Sequence, residues 1–320
     1  MLRCQRVNPI HHDPALLITL PQSAERWLLD CGDLHPLPLH DLQHISTVFL
    51  THAHIDHWIG LDALMRAQLF VPHTLSIVGP AGLLGMLQGR LAGYAWNLVS
   101  RSEFCVCGYE WTGRHWINQQ FRCADGFRPQ APSAVHELPS LRGWKLNWVE
   151  LDHGVPCLGY RLESPRHYRF NPACPHRPGP WIERLKLAMS QNRLDESLEV
   201  EGQTLPVASL TPWLKPLPTQ QLAYITDTRL HDGVRQRIFE AFGPTRWLYC
   251  EAAFLESQRE LAEAKLHATA AEAAQLAVVL ECEQLQLFHL SRRTQGLVDD
   301  HLREAQAIFA QTRADGELFP

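Results

Sequence analysis

The chain has 320 residues, 45% apolar and 20% charged, with a net charge of −5. That is enough apolar material for a sizeable core, and without a run of eighteen apolar residues a membrane span is not expected. The acidic balance does not advertise a nucleic-acid binder, although a local basic patch can bind one whatever the total.

The opening "MLRCQRVNPIHHDP" lacks the long apolar core of a signal peptide. Short buried strands follow at "ALLITL" (15–20), "RWLLDCG" (26–32) and "STVFLTH" (46–52), each bounded by turn residues. "GLDALMRAQLF" (60–70) has helical periodicity, and "TLSIVGP" (74–80) reads as a strand closed by Gly-Pro. Residues 101–140, rich in aromatics, cysteine and proline, read as an irregular surface insertion. Within them Cys105, Cys107 and Cys123 can be read as part of a zinc knuckle, but no second matched pair accompanies the C-x-C spacing. The nine cysteines, irregularly spaced, fit reduced thiols in a cytoplasmic protein.

"WKLNWVELDHG" (144–154) alternates and runs into a loop, and five prolines between Pro165 and Pro180 suggest an extended arm. Three more strands are expected at 221–228, 246–252 and 285–291. Before the last of these, "TAAEAAQLAVVLE" (269–281) reads as a helix whose Thr269 and Glu272 have capping-box spacing.

The stretch "FLTHAHIDHWIGL" puts His52, His54, Asp56 and His57 within six positions just past a strand. Imidazole nitrogens and carboxylate oxygens are ligands that zinc accepts, so His52 and His54 suit one metal and Asp56 and His57 a second. His153, Asp227 and His289 each stand just beyond an apolar run. Alone, each is a loop residue; together with the first loop they make a set large enough for two metals, with Asp227 bridging.

"THAHIDHWIGL" resembles the signature of the metallo-β-lactamase superfamily. That resemblance implies a four-layer αββα fold, two mixed sheets packed between outer helices, here as a single domain over 1–320 carrying the 101–140 insertion. "EAAF…KLHATAAEAAQLAVVLECEQLQLFHLSRR", with "VGPAGL" (78–83), "HGVPCLGYRL" (153–162) and "RPGPWIERLK" (177–186), is similar to segments of the ribonuclease Z family. The resemblance implies a phosphodiesterase with two divalent ions, zinc or manganese, that cuts the 3′ trailer from precursor tRNA. His52, His54 and His153 would bind one ion, Asp56, His57 and His289 the other, and Asp227 both. Asp56 would also orient the attacking water, and His267, paired with Glu251, would protonate the leaving 3′-oxygen.

The family pattern is not met everywhere. Its Gly-Thr-Gly opening is missing, "DCGDLHP" stands for "DCGEGTQ", and Cys250, Ala253 and Thr294 replace the usual His, Thr and Tyr. None of these is an expected metal ligand, so the departures bear on substrate. They motivate an alternative in which the metals act on a small phosphodiester, a cyclic nucleotide or a sulfate ester. In ribonuclease Z an extension before the bridging Asp grips tRNA across a homodimer. The matching interval here, about 165–186, carries Arg166, Arg169, Arg177, Arg184 and Lys186 among Tyr168, Phe170 and Trp181. It reads either as an RNA-binding arm or as a solvated, proline-stiffened loop.

Overall fold

The computed structural model describes residues 2–135 and 138–314, in two units: Glu163–Gln220 and the remainder. In the larger unit one sheet has eight strands, in chain order across the sheet. They are β1 (Arg3–Arg6), β2 (Leu16–Thr19), β3 (Arg26–Leu29), β4 (Ile45–Phe49), β5 (Thr74–Gly79), β6 (Cys105–Trp111), β7 (Trp116–Arg122) and β8 (Ser133–Val135). β3 to β6 run parallel, and the flanking strands pair antiparallel. The chain continues through β9 (Lys145–Glu150) and β10 (Leu158–Glu163).

The smaller unit holds four short strands, β11 (Tyr168–Phe170), β12 (Ser197–Val200), β13 (Gln203–Pro206) and β14 (Leu214–Pro216), paired β11 with β14 and β12 with β13. The larger unit then resumes with β15 (Gln221–Ile225), β16 (Trp247–Glu251), β17 (Gln284–Phe288) and β18 (Thr312–Arg313). These four run parallel and complete a second sheet of order β18-β17-β16-β15-β10-β9.

Strand side chains alternate between two buried environments, which is why these segments read as continuous apolar runs. Leu16, Ile18, Trp27, Leu29 and Phe49 of the first sheet pack against Tyr160, Tyr224, Tyr249 and Phe288 of the second. Their neighbours Leu17, Leu28 and Val48 instead meet the helices Leu61–Gln68 and Leu83–Leu91. Behind the second sheet, Ile225, Leu248 and Leu287 pack on the helices Asp232–Phe242 and Ala270–Val279. The result is the expected αββα layering. Thr269 caps the second of these helices: its Oγ1 accepts from Glu272 N at 3.2 Å, and Glu272 Oε2 accepts from Thr269 N at 3.0 Å. The Ala-rich face suits this position, since small side chains let a helix approach the sheet closely.

Two readings of the sequence differ from the structure. Residues 105–122 are not irregular but form β6 and β7, an antiparallel hairpin of the first sheet. Val106 and Phe121 pack in one core layer and Trp116 in another, so neither face shows a clean polar alternation. Cys105, Cys107 and Cys123 are part of this hairpin or follow it, and among the described residues no cysteine joins a metal-holding group. His136 and Glu137, in the same stretch, lie outside the described residues. The proline-rich stretch, in turn, opens a folded unit of its own. Trp181, Leu185 and Ala188, on the helix Trp181–Ser190, pack against Val200, Val207, Leu210 and Leu214. Those partners lie beyond the prolines, so a reading of 165–186 alone could not find them.

Candidate metal centre

The functional side chains gather where parallel strands end, the edge at which open α/β sheets place their chemistry. Past β4 the chain passes through buried His52 into the turn of helix Ile55–Trp58, with His54 at its N-cap and His57 buried. The loop after β3 braces it: Cys31 N donates to His57 O at 2.8 Å and Gly60 N to Cys31 O at 2.9 Å. The backbones approach so closely that a Cβ on Gly60 would stand 2.1 Å from Gly32 O, and one on Gly32 2.7 Å from Asp56 O. Only glycine fits either position. Asp30, Asp227 and His289, at the ends of β3, β15 and β17, are left-handed, with φ of 59°, 43° and 51°. Non-glycine residues adopt this conformation only where the surroundings impose it.

Asp227 is the hub. Its Oδ2 lies 3.5 Å from His52 Nε2, 3.3 Å from His57 Nε2 and 3.4 Å from His153 Nε2. Its Oδ1 lies 3.2 Å from His289 Nε2. His54 Nδ1 stands 3.3 Å from His153 Nε2. Asp56 Oδ2 is 3.8 Å from His57 Nε2 and 3.9 Å from His289 Nε2. Three groups have ligand atoms all within 4.8 Å of one another: His52, His54, His153 and Asp227; Asp56, His57 and His289; and Asp227, Glu251 and His267. The first two could each hold a cation, with Asp227 reaching both. The donor set fits: Nε2 of His52 and of His57 are buried without any hydrogen-bond partner, a costly state for a polar atom. A cation satisfies both.

The other imidazole nitrogens are tied down, which selects the tautomer that offers a lone pair inward. His57 Nδ1 donates to Asp30 Oδ2 at 2.9 Å, and His153 Nδ1 donates to Leu266 O at 3.0 Å. His52 Nδ1 lies 3.1 Å from Thr51 Oγ1. Asp30 is itself held by Thr51 N and Oγ1 and by the Tyr224 hydroxyl at 2.8, 2.8 and 3.0 Å. Burial, reinforced by the charge of His57, drives the His52 pKa far down and keeps that ring neutral, as a ligand must be. Burial opposes the Asp227 carboxylate, yet His289 and His57 hold its pKa well below the usual range. Without an ion, then, protonated His289 and His57 keep Asp227 ionised, and a cation bound at their Nε2 atoms would take the place of those protons.

Glu251, fully buried at the end of β16, accepts from His267 Nδ1 at 2.7 Å through Oε2 and from Thr228 N at 2.6 Å through Oε1. Burial disfavours the imidazolium of His267, but the Glu251 charge and hydrogen bond outweigh it and raise the pKa to about 9. His267 lines a cavity of about 440 Å³ together with Asp56 and His289. Ala253 lines this cleft, whereas Cys250 is buried in the core behind the second sheet, so of these two departures from the family pattern only Ala253 faces the cleft. Sequence reasoning did not single out Asp30 and Tyr224, nor His11, His12, Asp13 and Arg292 on the cleft wall. A signal for Asp30 was its place in "DCG" just past a strand; the wall residues had none.

The basic residues of the expected arm lie in the smaller unit. Arg166, Arg169, Arg177 and Arg184 are exposed, and no ion pair is formed by their side chains among the described residues. Lys186 pairs with Glu183 at 2.7 Å. Asp195, Glu196, Glu199 and Glu201 follow in the same unit, so its charge is mixed.

Over residues 27–187 the chain matches the family described as beta-lactamase superfamily domain. The Bacillus subtilis metallo-beta-lactamase fold protein YhfI superposes with a TM-score of 0.59 at 14% identity, covering 98% of this chain and 95% of that one. Fold and site together define a metal-dependent hydrolase of the beta-lactamase superfamily. A Deinococcus radiodurans ribonuclease Z is 33% identical, over 94% of this chain and 94% of its own length. A Picosynechococcus ribonuclease Z is 30% identical, over 92% of this chain and 86% of its own. The short form of human tRNase Z shares the fold, with a TM-score of 0.52 and 17% identity over 92% of this chain and 93% of its own. The chain belongs to the ribonuclease Z family.

Proposed function

We propose that this protein is a two-zinc endoribonuclease that removes the 3′ trailer from precursor tRNA. The observation that carries the reading is the juxtaposition of two potential ligand groups, one containing Asp227 and the other with His57 and His289 at 3.3 and 3.2 Å from it, with the His267–Glu251 pair. His52, His54 and His153 would hold one ion and Asp56, His57 and His289 the other. Bound there, the ions would lower the pKa of water toward neutrality and offset charge on the phosphoryl oxygens.

The remaining work falls to the chain. Asp56 accepts a hydrogen bond from the attacking water and aims it at phosphorus. As the new P–O bond forms, the bond to the 3′-oxygen breaks, and His267 donates a proton to that oxygen. Glu251 occupies His267 Nδ1, leaving Nε2 as the nitrogen that meets substrate. The products are a 3′-hydroxyl and a 5′-phosphate. Exposed Arg166, Arg169, Arg177 and Arg184 would contact RNA phosphates, and the family resemblance extends the reading to a homodimer. The test is incubation of the zinc-loaded protein with a precursor-tRNA transcript. Cleavage after the discriminator base, with a 3′-hydroxyl on the tRNA, is expected; hydrolysis of bis-p-nitrophenyl phosphate without RNA cleavage sinks the reading in favour of a small ester.

A further inference from the structure

One wall of the catalytic cleft is built from side chains that are not among the potential metal ligands of the centre. His11, His12 and Asp13, between β1 and β2, adjoin Ser291 and Arg292, just beyond β17, and all line the cavity that Asp56, His267 and His289 also line. The first loop is held rigid. Asn8, itself buried, donates through Nδ2 to Asp13 O at 2.7 Å and to Asp33 O at 2.8 Å. His12 N closes a turn on Pro9 O at 3.0 Å, and Leu290 N donates to Ile10 O at 3.0 Å. His11 Nδ1 donates to Leu290 O and Ser291 O at 3.3 and 3.2 Å, so Nε2 is the nitrogen left to a ligand. On this rigid wall one cation stands out: the Arg292 side chain is 76% exposed and meets Asp13 Oδ1 only at 3.5 Å.

We propose that Arg292 binds the phosphate next to the scissile one and thereby makes the cleft select a polynucleotide over a single diester. This rests on the phosphodiesterase reading above and deepens it. A guanidinium held near 3.5 Å from one carboxylate, in solvent, gains little from that pair. A phosphate offers it two oxygens in the geometry of its fork. Asp13 then acts as a counter-ion that the phosphate displaces, which sets the direction of each variant's effect. The cavity volume of about 440 Å³ leaves room for more than the reacting group.

The experiment measures KM and kcat on a precursor-tRNA transcript and on bis-p-nitrophenyl phosphate, which has no second phosphate. Arg292→Ala is expected to raise the RNA KM at least five-fold more than that of the small diester, while Arg292→Lys recovers part of the loss. Asp13→Asn, whose backbone carbonyl still holds Asn8, is expected to move the RNA KM the opposite way, downward. Replacing the diester beside the scissile one with an uncharged methylphosphonate, on each side in turn, should raise the wild-type KM on one side and there abolish the difference between wild type and Arg292→Ala. Equal effects of Arg292→Ala on both substrates, or a rise in RNA KM with Asp13→Asn, overturn the proposal alone. Failure of the wild type to cleave RNA overturns it together with the function proposed above.

Discussion

His57 Nδ1 and Asp30 Oδ2 lie 2.9 Å apart, both side chains fully buried, in the wall behind the metal-binding cluster. A buried carboxylate that also collects Thr51 and Tyr224 has one evident task, to hold His57 with its Nε2 inward. Asp30→Asn keeps the shape and tolerates the left-handed backbone, but loses one of the two carboxylate charges, after that of Asp227, that raise the His57 pKa against the opposing effect of burial. Loss of such an outer partner costs about 10–100-fold in metal affinity. Zinc titration of the variant should therefore show one weakened site and one unchanged; two unchanged sites would contradict the role.

Metal content checks the ligand assignment. Elemental analysis of the purified protein is expected to give two divalent ions per chain, and Asp227→Ala, which removes the carboxylate proposed to bridge the two sites, should retain neither. Chelation should abolish hydrolysis of bis-p-nitrophenyl phosphate and lower the melting temperature, since a ligand at a hundred times its Kd stabilises by about 2.7 kcal/mol. A melting temperature indifferent to chelator would count against an occupied centre.

His267 should matter in proportion to how badly the leaving group needs a proton. His267→Ala is expected to slow precursor-tRNA cleavage by about 10²–10⁴, and bis-p-nitrophenyl phosphate hydrolysis far less, because nitrophenolate leaves unprotonated. Glu251→Gln should show the same pattern more weakly. Equal losses on both substrates would assign His267 to structure instead.

Exposed Arg166, Arg169, Arg177 and Arg184 predict a salt-dependent grip on RNA. Changing all four to alanine should flatten the slope of log K against log salt by roughly 0.7–0.9 for each phosphate that is no longer neutralised. A slope identical to the wild type returns the segment to the role of a folded, solvated surface.

The capping box of the helix Ala270–Val279 makes a stability prediction independent of catalysis. Thr269 Oγ1 accepts from Glu272 N and donates to Glu256 Oε2 at 2.9 Å, and Thr269 is fully buried. Thr269→Ala should cost about 1–2 kcal/mol, measured by denaturant unfolding. No loss of stability would mean that Glu304, which accepts from Ala271 N at 3.0 Å, carries the helix start alone.

By itself the sequence determined the local terms. Doubly buried strands announce themselves as apolar runs, Thr269 and Glu272 mark a helix start by spacing, and four chemically matched side chains in six positions mark a ligand loop. Each of these depends on neighbours along the chain. The hairpin at 105–122 was illegible because its side chains answer to two different core layers, and the fold of Glu163–Gln220 because its helix is completed by residues far downstream. Only the tertiary structure decided which strand ends adjoin, and so that Asp30 backs His57 and that Arg292 meets Asp13 across 279 residues of chain. Periodicity reports which face of a strand is buried but carries no information on sheet order. Sheet order is what sets distances between atoms that sequence separates.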